Sequence, residues 1–227
     1  MHRPITQRVL RRLALFNPGN DADGVFPGSS RYWEQRYDAD GTSGRGSYGL
    51  IARLKARFVN QYIERHQIRS VIDFGAGDGN QLGLLRVPTY VGLDVSATAI
   101  DRLRRTFAGD ATKRFVHCGD RSPVEDPSLR AEMGLSMDVL YHLTEQPVYE
   151  RYLHDLFTCA ARHVVIYSSN SDGRVSVSSH VRHRKFTTFV ERAFPDWQRQ
   201  PTARHPLRLF MTSEFHVFQR AVTPTRP

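Results

Sequence analysis

The sequence predicts an α/β fold, with seven strands in a mostly parallel sheet and helices on both faces. Three observations predict it. Short apolar runs alternate with amphipathic helical stretches from about residue 70 onward. The first run leads straight into a glycine-rich turn, "VIDFGAGDGN" at residues 71–80. Carboxylates fall at or near the ends of the first four strands, at Asp73, Asp94, Asp120 and Asp138. In an open parallel sheet, ligands bind beyond the carboxyl ends of the strands.

The 227 residues suit one domain, residues 31–227, preceded by a helix and loop extension at 1–30. In the extension, Ile5, Val9, Leu10, Leu13 and Phe16 share one helical face and Arg8, Arg11 and Arg12 the other. Such a helix can dock on its own domain, exchange into a homodimer or lie on a membrane, and the sequence leaves the three open. Residues 17–30 read as a loop from their Pro, Gly, Asn and Asp content. Residues 31–49 hold a short aromatic-rich helix and a glycine-rich turn. A strong helix follows at 50–66, with Ile51, Leu54, Phe58 and Tyr62 on one face.

The alternation then begins. Strands are expected at 70–74, 90–94, 114–118, 136–140, 163–167, 197–200 and 214–219. Helices are expected near 80–85 and at 97–107, 148–160 and 187–194.

Composition narrows the class of protein. No apolar run is long enough to span a bilayer, and the N-terminal segment lacks the apolar core and cleavage site of a secretory signal. Cys118 and Cys159 are too few for a disulfide framework and lack zinc-ligand spacing. A reduced, cytoplasmic protein is expected. The net charge of +9 fits a nucleic acid, an anionic lipid surface, an acidic substrate or a merely solvated basic surface.

The glycine turn only half matches a dinucleotide loop. Gly75 and Gly77 fit G-x-G-x-x-G, but Asn80 stands where the third glycine belongs. Asp73 and Asp78 would repel a diphosphate resting on a helix N-terminus. Both suit a cofactor with an ammonium, a sulfonium and no phosphate, which describes S-adenosylmethionine. Asp73 is placed to hold its amino group, Asp94 both ribose hydroxyls and Asp120 the adenine amino group.

These stretches resemble the motifs of class I S-adenosylmethionine-dependent methyltransferases. "VIDFGAGDG" is similar to their first motif, "VGLDVS" at 91–96 to their second, and "LSMDVLYHL" at 135–143 to the fourth-strand motif that faces the methyl acceptor. The resemblance covers roughly residues 69–167. It implies a Rossmann-like seven-stranded sheet whose last strand is antiparallel. "YWEQRY" at 32–37 resembles the segment with which some members cover the cofactor, which implies Trp33 and Tyr37 against the methionyl end. It further implies cofactor contacts at Ser47, Gly75, Ala76, Gly77, Gln81, Val95 and Arg121.

For the acceptor, members that methylate nucleic-acid bases carry an N/D-P-P-Y/F/W sequence at the fourth strand. This chain has Asp138-Val139-Leu140-Tyr141 instead. That counts against base N-methylation. His142, just beyond the strand, is a candidate general base, since a hydroxyl needs a proton acceptor as it attacks. Asp138 is expected to orient His142 or to bind the acceptor. A divalent metal is the other route to a reactive hydroxyl. Asp138, Glu145 and histidines are available for one, but no compact ligand motif appears. Tyr141 can stack on a sugar face, and Arg182 and His183 in "HVRHRKF" can bond sugar oxygens or an anion.

End to end, the chain is similar to bacterial sugar O-methyltransferases that carry Y-W-E-x-R-Y, D-V-x-Y-H-L and H-x-R-H-R-x-F together, above all to those of methylmannose polysaccharide synthesis in mycobacteria. The resemblance implies methylation of the reducing-end hydroxyl of a short methylated mannoside, a small carbohydrate partner. Two alternatives stay open: an RNA or other nucleic-acid methyltransferase, and a cofactor-binding protein without catalysis.

Overall fold

The structure, a computed structural model, describes residues 26–119, 121–172, 178–202 and 212–221. The basic helix expected near the N-terminus and Asp120 lie outside the described residues. Seven strands form one sheet: β1 Ser70–Phe74, β2 Thr89–Asp94, β3 Lys113–His117, β4 Ala131–Met137, β5 Ala160–Ser168, β6 Trp197–Gln200 and β7 Glu214–Arg220. Their order across the sheet is β3-β2-β1-β4-β5-β7-β6. The first five strands are parallel, and β7 runs antiparallel to both β5 and β6.

The helices are α1 Ser29–Asp38, α2 Gly49–Arg65, α3 Ala97–Thr106, α4 Gln146–Cys159 and α5 Phe186–Ala193. Two apolar cores form, one on each face of the sheet. Leu153, Leu156 and Phe157 of α4 and Val190 of α5 pack on one face. Val59 and Ile63 of α2 and Ile100 and Leu103 of α3 pack on the other. The central strands are therefore covered twice. Four of the five residues of β1 are buried, which is why it reads as a continuous apolar run. Gly134 in β4 brings α4 close, since a Cβ there would sit 2.9 Å from Leu156 Cδ1.

Three expectations need correction. The helix near 80–85 is a single 3-10 turn, Leu82–Leu84. Gly75, Gly77 and Gly79 all have positive φ, which prolongs the loop, and Pro88 precedes β2, so too few residues remain for an α-helix. The fourth strand begins at Ala131 and stops at Met137, because Asp138 takes a left-handed φ of 61° and a 3-10 turn, Leu140–His142, follows. Finally, α2 buries Ala52, Lys55, Ala56, Val59 and Ile63 rather than the face of Ile51, Leu54, Phe58 and Tyr62. The two small alanines let the helix lie close to the sheet. The larger rings pack at its flank, where Phe58 stacks on Phe215 at 3.9 Å between centroids.

Candidate active site

The carboxyl ends of β1, β2 and β4 open onto a cleft. Its floor is the turn after β1. Gly75 and Ala76 both donate their N–H to Leu93 O, which draws the turn over β2. Gly75 can hold no side chain there, since a Cβ would sit 2.5 Å from Val139.

Two carboxylates end the strands inside the cleft. Asp73 is buried, and its Oδ2 accepts the Tyr90 hydroxyl at 2.8 Å. Its Oδ1 is buried without a partner. Burial pushes this carboxyl up to about 7, with the Tyr90 bond pulling against it. Asp94 is also buried. It accepts the N–H groups of Gly77 and Ser96, each at 2.9 Å, and burial holds its carboxyl above the ordinary range against those bonds.

The cleft is roofed by α1 and the segment after it. Glu34 accepts Thr98 Oγ1 at 2.7 Å, and Arg102 donates to the carbonyl oxygens of Tyr37 and Gly41, so α1 is tied to α3. Asp78 ties the following segment to the glycine turn, its Oδ2 accepting Ser43 N and the Tyr48 hydroxyl, each at 2.7 Å. Asp78, read from the sequence as a group suited to a cationic cofactor, is thus a fastener between floor and roof. The N-terminus of α1 is clasped from across the cleft. Glu145 accepts Ser29 N at 2.7 Å and Ser29 Oγ at 2.5 Å.

The opposite wall is the turn after β4. The oxygens of Asp138 are held by Lys55 Nζ at 2.6 Å and by the Tyr141 hydroxyl at 2.8 Å. His142 lies against Trp33 edge-on, with ring centroids 5.0 Å apart, and stacks on His180. Its Nδ1 meets His180 O at 3.1 Å, so the group that orients the ring is a backbone carbonyl and not Asp138. Burial pulls the imidazole down to about 4. The ring is therefore neutral at pH 7. With Nδ1 donating to the carbonyl, Nε2 carries the free lone pair.

Of the cofactor residues expected from the sequence, Trp33, Tyr37, Ser47, Asp73, Gly75, Ala76, Gly77, Gln81, Asp94, Val95 and Arg121 all line this cleft. His142 and Asp138 line it too. Tyr141, Arg182 and His183 do not stand among its lining residues. Tyr141 is bonded to Asp138, Arg182 donates to Thr144 O at 3.2 Å, and His183 Nδ1 meets Ser169 Oγ at 2.7 Å. Lys55, Tyr152 and Asp155 also line the cleft and were not anticipated. Lys55 was legible in principle, because it falls in the helical stripe of Ala52, Ala56, Val59 and Ile63.

Among the described residues, no three His, Cys, Asp or Glu side chains gather as metal ligands, and no helix is long and apolar enough to cross a membrane.

A buried, unpartnered carboxylate oxygen at Asp73 wants a cation. Bare glycine backbone lies beside it, and Asp94 stands at the end of the next strand. The residues present fit S-adenosylmethionine.

No family model matches the sequence, and no curated protein matches it. Solved structures do match. The N-methyltransferase NodS from Bradyrhizobium japonicum, in complex with S-adenosyl-L-homocysteine, has a TM-score of 0.64 at 10% identity, over 85% of this chain and 98% of that one. The Burkholderia thailandensis 1,6-didemethyltoxoflavin-N1-methyltransferase has a TM-score of 0.60 at 16% identity, over 98% of this chain and 94% of that one. The small RNA methyltransferase HEN1 has a TM-score of 0.55 at 14% identity, over 82% of this chain and 28% of that one. The chain has the class I methyltransferase fold: a mostly parallel, seven-stranded Rossmann-like sheet with flanking helices.

Proposed function

We propose that the chain is an S-adenosylmethionine-dependent methyltransferase that acts on a hydroxyl of a small carbohydrate, with His142 as the general base. The observation that carries this reading is the state of His142. The ring is neutral, is oriented by a carbonyl on Nδ1, and stands in the cleft wall with Nε2 free to take a proton. When bound, the cofactor supplies the electrophilic methyl group. Asp73 and Asp94 would hold it beneath α1, and Trp33 and His180 hold the imidazole against rotation. The sequence resemblance to bacterial sugar O-methyltransferases supports a reducing-end hydroxyl of a short methylated mannoside as acceptor. Such a hydroxyl is more acidic than an ordinary alcohol, which asks less of an imidazole whose basicity burial has lowered.

A second reading is methylation of RNA or another nucleic acid. It is favoured by the net charge of +9 and by the likeness to a fold that serves a small RNA methyltransferase. One assay separates the two. Labelled S-adenosylmethionine is incubated with hexosides, short methylated mannosides and bulk RNA, and products are identified by mass spectrometry. Label on a mannoside supports the first reading and label on RNA the second. Tight binding of S-adenosylhomocysteine with label on neither leaves a cofactor-binding protein without catalysis.

A further inference from the structure

We infer that Lys55 and Asp73 form a two-pronged seat for an amino-acid zwitterion, in which Lys55 binds the carboxylate of the cofactor's methionyl group. The inference rests on the reading of the cleft as an S-adenosylmethionine site and adds to it a residue and a ligand group.

Lys55 sits in the middle of α2, yet its side chain is 1% exposed and it lines the cleft. A lysine is seldom buried so fully unless paired. Its ammonium has three N–H donors. One goes to Asp138 Oδ2 at 2.6 Å, and the charge also lies over the Tyr167 ring, 5.3 Å from the centroid. Neither contact occupies the other two donors. Asp73 is near enough that the Lys55 charge draws its carboxyl down, and the Asp73 Oδ1 is the buried oxygen without a partner. The cleft is thus lined by an ammonium with donors to spare and by a buried carboxylate oxygen without a partner. An α-amino acid presents the complement, an ammonium and a carboxylate on one carbon.

Charge balance points the same way. Asp138 pairs with the Lys55 ammonium and Asp73 feels its charge, which leaves an excess of one negative charge when both carboxylates are ionised. A zwitterion adds none, and the sulfonium of S-adenosylmethionine would offset the excess. Arg121 and Arg151 also line the cleft, Arg121 in the segment after β3 and Arg151 on α4, and the cation whose charge acts on Asp73 is Lys55.

The test is calorimetric and needs no turnover. Wild-type protein, Lys55→Met and Lys55→Arg are titrated with S-adenosylhomocysteine and with its decarboxylated analogue, which keeps the amine. Wild-type is expected to bind the decarboxylated ligand about tenfold to a hundredfold more weakly, the worth of a charge-assisted hydrogen bond. Lys55→Met should lose that factor for S-adenosylhomocysteine and nothing for the analogue, and Lys55→Arg should keep most of the affinity. Equal losses for both ligands would mean that Lys55 only props the Asp138 turn, and would overturn the inference. Unchanged affinity for S-adenosylhomocysteine, with a raised KM for the acceptor, would assign Lys55 to the acceptor and overturn it too. Should Lys55→Met fail to fold, the wild-type comparison of the two ligands decides. A wild-type that binds S-adenosylhomocysteine tightly without regard to its carboxylate sinks the inference alone. A wild-type that binds no adenosyl ligand sinks the cofactor reading with it.

Discussion

At the scale of single residues, Asp73 makes cofactor affinity depend on pH. With its carboxyl raised to about 7 in the free protein, it is largely protonated at pH 6 and largely ionised at pH 8. An incoming ammonium prefers the ionised form. Affinity is therefore full above pH 7 and lost as pH falls through it, by about tenfold per unit once well below. Titration with S-adenosylhomocysteine between pH 5.5 and 8.5 should show this slope, and Asp73→Asn should flatten it while weakening binding throughout. His142→Ala should leave that affinity alone and cut turnover by ~10²–10⁴-fold, the usual worth of a positioned base. Turnover equal to wild-type would remove the assignment. Asp73 and Asp94 were legible in the sequence because a strand, a glycine turn and a carboxylate fix one another's places. Lys55 was harder to read: the stripe of Ala52, Ala56, Val59 and Ile63 marks its face, but the larger side chains Phe58 and Tyr62 draw the reading to the other face of α2. The partner of His142 was hidden as well, because His180 is 38 residues away and its hydrogen bond comes from a backbone oxygen.

At the scale of elements, the roof depends on what lies beneath it. A Cβ at Gly77 would overlap Ser43 Oγ, at a residue whose φ of 62° already disfavours a side chain. Gly77→Ala should displace the segment around Ser43, weaken S-adenosylhomocysteine binding by about tenfold and cost ~1–3 kcal/mol of stability. Normal affinity by calorimetry would show that floor and roof are not coupled. Glu145→Ala removes the acceptor that clasps the N-terminus of α1. Loss of such a cap costs ~1 kcal/mol, and amide exchange in α1 should quicken while α4 and the strands stay protected. The strands were readable from their apolar runs. The end of β4 was not, because the left-handed turn at Asp138 is sustained by Lys55 and Tyr141 rather than by glycine.

At the scale of the whole molecule, the two cores and the cleft share the same central strands, so ligand binding is felt globally. A ligand at a hundred times its dissociation constant adds ~2.7 kcal/mol. In a domain of this size that raises Tm by about 5–10 °C. S-adenosylhomocysteine should produce such a shift and Asp94→Ala should abolish most of it; a flat melting curve would contradict the cofactor site. The strand order carries a consequence for synthesis. Strand β7 follows β6 in the chain but lies between it and β5. While the ribosome is still making residues 201–213, β6 has no neighbour to join, and β5, with Val164, Val165 and Ile166, is an open border. Such a border is a template for another chain. The nascent protein is therefore most prone to aggregate just before its last described strand emerges, and a chain stopped short of Glu214 should need a chaperone to stay in solution.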